Sequence, residues 1–246
     1  MNTHTYEKTY YVGAGETDPS GYCRPSSLQG FLQDAATRHA EILGVSRETL
    51  LERAGVFWVL ARNWYRLSRP LKYGEAVLVR TWHRGARGAQ CYRDFDIEAN
   101  GVLVGEAVTA WILVDWKTFR ITRPSAVPGL DIDGHERAKA IRLEKLPPAS
   151  DLVCTGSRRA LYSDLDVNNH VNNVRYTDFV CDVLALENDR GSWLAELQVG
   201  FSAQVKAGEM LRLYTGCLSD GRLYVAGQDE EERVRFDAAC RLATAD

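Results

Sequence analysis

Polar and apolar positions follow two different periods along this chain. From Leu28 the residues Leu28, Phe31, Leu32, Ala35, Ala36, His39, Ile42 and Leu43 recur at three- and four-residue steps, which predicts a helix with one buried face. Ser26 followed by Gln29 has the spacing of a capping box, and Gly44 is a suitable stop. His39 lies on the apolar face and reads as a core histidine. A short strand at about 6–14 and a turn-rich loop at 16–21 precede this helix. From Val56 the period changes to two, with β-branched and aromatic residues predicting strands at about 57–68, 75–84, 89–99 and 102–116. Asn100-Gly101 marks a hairpin turn between the last two.

The same order then recurs. A strand is expected near 153–162. A helix follows whose apolar face is Tyr176, Phe179, Val180, Val183 and Leu184, and further strands are expected at about 194–205, 209–218, 222–228 and 233–242. Asp220-Gly221 supplies another hairpin turn. The two halves also share sequence: Leu71-Lys72-Tyr73-Gly74-Glu75-Ala76-Val77 parallels Val205-Lys206-Ala207-Gly208-Glu209-Met210-Leu211. One helix followed by a run of antiparallel strands, present twice, predicts an α+β fold. The expected division is an N-terminal unit over 1–125, a connector over 126–150 and a C-terminal unit over 151–246. Pro124 precedes the connector, which carries Pro128-Gly129 and Pro147-Pro148, with a brief helix expected around 135–141 and His135 facing solvent.

Composition narrows the function. With 45% hydrophobic and 26% charged residues and a net charge of -3, nothing draws the whole chain to nucleic acid or an anionic membrane. No apolar stretch is long enough to span a bilayer. The first residues have no signal or transit character, so a cytoplasmic protein is expected. The six cysteines are scattered without a C-x-x-C pair, which fits neither a zinc site nor a disulfide framework and predicts mostly buried, reduced thiols. No metal or cofactor is implied. Trp58, Trp64, Trp82 and Trp111 are expected in the core or lining a pocket.

The candidate chemistry sits in one stretch, Tyr162 to Tyr176. Read as extended chain, it places Asp164, Asp166, Asn168 and His170 on one side and Leu165, Val167 and Val171 on the other. That gathers carboxylate, amide and imidazole just ahead of a helix start. Asn172 and Asn173 are ordinary capping residues there. The matching loop of the first half has Asp18, Ser20, Tyr22 and Arg24 instead, so only the second half holds the full set.

The run Ser163-Asp164-Leu165-Asp166-Val167-Asn168-Asn169-His170-Val171-Asn172-Asn173 closely resembles the signature of acyl-acyl carrier protein thioesterases, of the plant FatA/FatB type and its bacterial relatives. Trp58-Val59-Leu60-Ala61-Arg62, Lys72-Tyr73-Gly74-Glu75 and Trp111-Ile112-Leu113-Val114-Asp115 are similar to it as well. The resemblance implies a tandem "double hotdog", two long helices each wrapped by an antiparallel sheet, and a bacterial member acting in fatty acid biosynthesis. It implies catalytic roles for Asp166, Asn168 and His170. The family's later-strand Glu falls on Gln204 and the neighbouring Cys on Val205, both departures. An acyl carrier protein is the implied partner, with acyl-CoA as the alternative carrier and a monomer or homodimer as the assembly. A weakened, acyl-thioester-binding descendant is the further alternative that Gln204 raises. Arg62, Arg66, Arg69 and Lys72, with Arg158, Arg159 and Arg175, are candidates for steering an acidic carrier.

Thioester hydrolysis needs a base or nucleophile, a site for the developing oxyanion and a proton donor. Asp166 can serve as base or nucleophile, Asn168 and helix-start N–H groups as oxyanion donors, and His170 as acid or base near neutral pH. A glutamine at 204 can hold a water but cannot take its proton.

Overall fold

The computed structural model describes residues 4–128, 130, 138–189 and 191–244. They form two compact units. One comprises Met1–Tyr11, Gly30–Tyr65 and Gly74–Leu143, and the other Val12–Gln29, Arg66–Tyr73 and Glu144–Asp246. In chain order the elements are β1 (Thr5–Tyr11), α1 (Pro25–Ile42), α2 (Arg47–Ala54), β2 (Val56–Leu67), β3 (Ala76–Arg87), β4 (Gln90–Ala99), β5 (Val102–Asp115) and β6 (Ile121–Thr122). The second half adds β7 (Ser150–Arg159), α3 (Arg175–Val183), β8 (Ser192–Phe201), β9 (Met210–Cys217), β10 (Leu223–Gln228) and β11 (Val234–Thr244).

In the first unit the strands run in the order β1-β3-β4-β5-β2, and in the second β7-β9-β10-β11-β8. Position for position these orders are the same, which is the repeat read from the sequence. Gly74 and Gly208, at matching places in the Lys-x-Gly-Glu turns, both have φ of +83°, a left-handed conformation that costs glycine little. Asn100 and Gly101 both have positive φ, as the two-residue hairpin requires.

In the first unit α1 packs on the sheet through Tyr10 stacked on Phe31 at 4.6 Å between ring centres, and through His39. His39 is a core histidine as expected: its Nδ1 lies 2.7 Å from Arg93 Nη1. Arg93 is wholly enclosed, and burial lowers its pKa to about 10. Burial, with Arg93 and His39 close by, holds the His83 imidazole well below its usual range. In the second unit α3 packs on β8 and β11 through Tyr176, Phe179, Phe201 and Phe236, whose rings meet at 4.9 to 6.2 Å. At nine residues against eighteen, α3 is half the length of α1.

Local expectations needed correction at several points. α1 begins at Pro25, so Ser26 lies inside its first turn and does not cap it. α2 was not anticipated; Ser46 caps it by accepting from the Thr49 N–H at 3.2 Å, and Gly55 closes it at φ +63°. Residues 138–141 are not helical, and the rest of the helix expected there, with His135, lies outside the described residues. The connector from residue 138 onward is nevertheless tied down. Lys139 pairs with Asp96 (2.7 Å) and Glu106 (3.2 Å), Leu143 packs with Trp64, Tyr92 and Val108, and Leu146 packs with Leu218 and Tyr224. All six cysteines are free thiols. Cys91 and Cys240 are buried, but Cys154 and Cys217 are exposed, contrary to the packing role expected of most. Trp64 and Trp82 are core, while Trp58 and Trp111 are half-buried.

Candidate active site

The stretch ahead of α3 is a sequence of turns, and this breaks up the row of polar residues expected from an extended chain. Tyr162–Asp164 is one 3-10 turn that rotates Asp164 inward, leaving it 3% exposed. There it accepts from the Leu161 N–H at 2.9 Å and from the Arg158 guanidinium at 3.0 Å. Arg158 also pairs with Asp182 at 2.8 Å and lies 4.1 Å above the Phe179 ring. Asp164 and Arg158 are therefore structural, and Arg158 is not available to steer a partner.

The next turn holds Asp166, Asn168 and His170. The Asn169 N–H donates to the Asp166 carbonyl at 3.0 Å, with Asn169 left-handed at φ +59°. Asp166 Oδ1 accepts from the Asn168 N–H at 2.8 Å, and Oδ2 from Asn168 Nδ2 at 3.3 Å. Aspartate favours such turns because its side chain reaches the backbone two residues on. Asp166 and Asn168 are thus brought together side chain to side chain. His170 joins through the backbone: its carbonyl accepts the Asp166 N–H at 2.9 Å, while its half-exposed ring makes no hydrogen bond to a described residue. Asn172 Oδ1 then accepts from the Val174 N–H at 3.3 Å, a turn just ahead of α3.

Gln204 is not in a strand. β8 ends at Phe201 because the N–H groups of Ser202 and Ala203 both turn to the Arg235 carbonyl, at 2.9 and 3.2 Å. Two backbone links then lay the following residues beside the Asp166–His170 turn: the Val171 N–H donates to the Val205 carbonyl at 2.8 Å, and His170 bridges Lys206. Val171 and Val205 are buried, so the contact is dry, whereas the Gln204 side chain is exposed. Tyr176 is buried; desolvation raises its pKa, with the Val205 backbone amide and Arg235 acting in the opposite direction.

Two residues that the sequence did not single out hold this arrangement. Arg235 Nη1 donates to the Gln204 carbonyl at 2.6 Å, and its Nε donates to Asp229 Oδ2 at 2.7 Å. Asp229 Oδ2 also receives Arg233 Nε at 2.8 Å, while Oδ1 accepts the N–H groups of Glu231 and Arg233 at 3.0 and 2.9 Å. Burial opposes the charge on Asp229, but the Arg233 backbone and the two guanidinium groups outweigh it and hold the carboxyl far below its usual range.

The first half contains the same turn in its backbone bonds, with one added, the Tyr22 N–H donating to Asp18 Oδ1 at 3.0 Å. Asp18 N–H donates to the Tyr22 carbonyl (2.8 Å), Gly21 N–H to the Asp18 carbonyl (3.0 Å), Ser20 N–H to Asp18 Oδ1 (2.8 Å) and Cys23 N–H to the Leu71 carbonyl (2.7 Å), while Tyr22 bridges Lys72. Asp18 thus matches Asp166, Ser20 matches Asn168, Tyr22 matches His170, Leu71 matches Val205 and Pro70 matches Gln204. In both turns the side-chain Oδ1 at this position holds the backbone, whatever else it does. What separates the second turn from the first is the amide at 168 and the imidazole at 170. Among the described residues no group of three or more His, Cys, Asp or Glu side chains is placed to hold a metal ion.

Known proteins share this architecture. A solved acyl-ACP thioesterase from Bacteroides thetaiotaomicron superposes with a TM-score of 0.87 at 20% identity, covering 99% of this chain and 100% of that one. The 12:0-ACP thioesterase from Umbellularia californica does so with a TM-score of 0.80 at 17% identity, covering 100% and 99%. The fold is the double hotdog of those structures. In sequence, a chloroplastic palmitoyl-acyl carrier protein thioesterase from Cuphea hookeriana is 25% identical over 71% of this chain and 44% of its own length. The chain spans about half the length of the curated relatives it matches. The model of the acyl-ACP thioesterase N-terminal domain matches residues 3–126, and that of the C-terminal domain matches residues 157–243. With one of these domains on each copy of the repeat, the chain belongs to the acyl-ACP thioesterase family.

Proposed function

We propose that this chain is a thioester hydrolase that releases free fatty acid from acyl-acyl carrier protein. The observation that carries the reading is the asymmetry between the two turns: Asn168 and His170 are present only in the turn pinned beside Gln204. In this reading Asp166 takes the proton of an attacking water. Asn168 Nδ2, which spends one hydrogen on Asp166, offers the other to the developing oxyanion. His170 returns a proton to the departing thiolate, and Gln204 orients the water. The first copy, over residues 1–125, acts as scaffold and shapes the acyl pocket, and the copy over 151–246 carries the chemistry. The setting of the proposal is bacterial fatty acid biosynthesis in the cytoplasm, without cofactor, in a monomer or homodimer. A panel of medium- and long-chain acyl carrier protein thioesters, assayed for free acid, tests it.

Hydrolysis of acyl-CoA is the second reading, because the turn addresses the thioester and the residues described above do not distinguish the carrier. Equal kcat/KM for one acyl chain on the two carriers would favour it.

A further inference from the structure

Beside the turn that holds Asp166, β7, β9 and the loop before β9 present cations without an ion-pair partner among the described residues. Their register sets Arg158 opposite Leu211, Ser157 opposite Arg212 and Arg159 opposite Met210. Side chains alternate across a strand. Arg158 and Leu211 therefore point toward α3, and Arg159 and Arg212 point away from it into solvent. The Ala160 N–H donates to the Glu209 carbonyl, and the Gly208 N–H to the Ala160 carbonyl, each at 2.9 Å. This folds the turn containing Lys206 against the end of β7. A Cβ at Gly208 would lie 3.7 Å from Arg159 Nη2, so that guanidinium reaches over the turn, and Lys206 beyond it bridges His170. Arg159, Lys206 and Arg212 have no ion-pair partner among the described residues, whereas Arg175 pairs with Asp178 at 2.9 Å.

Exposed apolar side chains accompany these charges. Leu161 and Tyr162 follow directly and are 57% and 93% exposed, and Val167 at the tip of the catalytic turn is fully exposed. The repeat supplies an internal control. By register and by the Lys-x-Gly-Glu turn, Tyr11 stands where Arg159 is and Leu78 where Arg212 is. Two of the three cations are thus confined to the copy that holds Asn168 and His170.

We infer that Arg159, Lys206 and Arg212, with Leu161 and Tyr162 as apolar contacts, form the docking surface for an acidic carrier protein that delivers the acyl thioester to the turn. This rests on the proposed hydrolase reading. An apolar contact ringed by unneutralised charge on a chain of net charge -3 fits a protein of opposite sign. The free pantetheine arm needs no such surface.

The test is a charge reversal, Arg159→Glu with Arg212→Glu, and the milder Arg159→Gln with Arg212→Gln should the reversal not fold. Binding of holo acyl carrier protein is measured together with kcat/KM for one acyl chain on carrier protein, CoA and pantetheine. The expected result is a weaker carrier Kd, and a carrier-to-pantetheine ratio of kcat/KM lowered by about 10-fold or more with its salt dependence flattened. An unchanged carrier Kd overturns the surface, and so does an equal fall on pantetheine. A fall on CoA as large as on carrier protein assigns the cations to nucleotide phosphates and also overturns it. Wild-type protein that binds carrier through these residues but releases no acid contradicts the hydrolase reading and leaves the surface supported.

Discussion

Arg235 Nη1 donates to the Gln204 carbonyl oxygen at 2.6 Å, so the position held at 204 is that of the backbone. Asp229 anchors the guanidinium from behind. Asp229→Asn retains Oδ1 for the N–H groups of Glu231 and Arg233 and removes the charge at Oδ2 that the two arginines share. The expected outcome is faster amide exchange at Val171, Ser202 and Ala203, with kcat falling about 10-fold and KM little changed, as for a misplaced catalytic group. Hydrogen exchange by NMR, paired with steady-state kinetics, checks this; unaltered protection would show that the anchor does not position the segment.

The duplicated turn makes a substitution that imitates its own twin. Asn168→Ser with His170→Tyr rebuilds the second turn with the residues of the first, where the same backbone bonds form around Asp18. Folding and thermal midpoint should be retained, while turnover falls by about 10²- to 10⁴-fold as acid-base assistance is lost. Calorimetry and kcat on one acyl carrier protein substrate decide it. A double variant with wild-type turnover would remove both side chains from the chemistry.

Gln204 is exposed and its side chain bonds to no described residue, which suits a role in orienting water and not in taking its proton. With Asp166 as the base, Gln204→Glu should change kcat by less than about 10-fold, below the range that general-base help supplies. A rise of two orders of magnitude, with a new acidic limb in the pH profile, would instead mean that the wild type lacks its principal base.

His83 links stability to pH. Its folded pKa lies well below the ordinary value of 6.5, because burial and the facing Arg93 and His39 disfavour a further positive charge. The unfolded chain therefore binds more protons below about pH 6.5, and stability is complete above that value and lost as pH falls beneath it, by at most about 1.4 kcal/mol per pH unit. Urea unfolding at pH 7.5, 6 and 5 should show a shallower decline for His83→Gln than for wild type. Parallel declines would mean that His83 does not carry the dependence.

Periodicity was enough to find the repeat, the strands, the face of α3 and the core position of His39, because each depends on burial at fixed spacing. α2 was missed although Ser46 and Gly55 frame it, since its apolar positions are few and only Leu50 is fully buried. The motif singled out Asp166, Asn168 and His170, which share one turn, but a two-residue alternation misplaced Asp164: left-handed Asn169 and the 3-10 turn at 162–164 replace the strand it presumed. Asp229 and Arg235 were invisible for a different reason. Arg235 meets Gln204 across 31 residues of chain, and only the end of β8 and the path of β11 bring them together. The duty of Asp166 in shaping its turn became legible only beside Asp18.

The most direct measurement is free fatty acid released from acyl carrier protein thioesters by wild type and Asp166→Asn. Asparagine keeps the Oδ1 acceptor for the Asn168 N–H, so the turn is preserved while the carboxylate is lost. The account predicts acid release by the wild type and a fall of about 10²-fold or more in the variant at unchanged thermal midpoint. Equal turnover by the two proteins, or no acid from any chain length with the wild type, would contradict it.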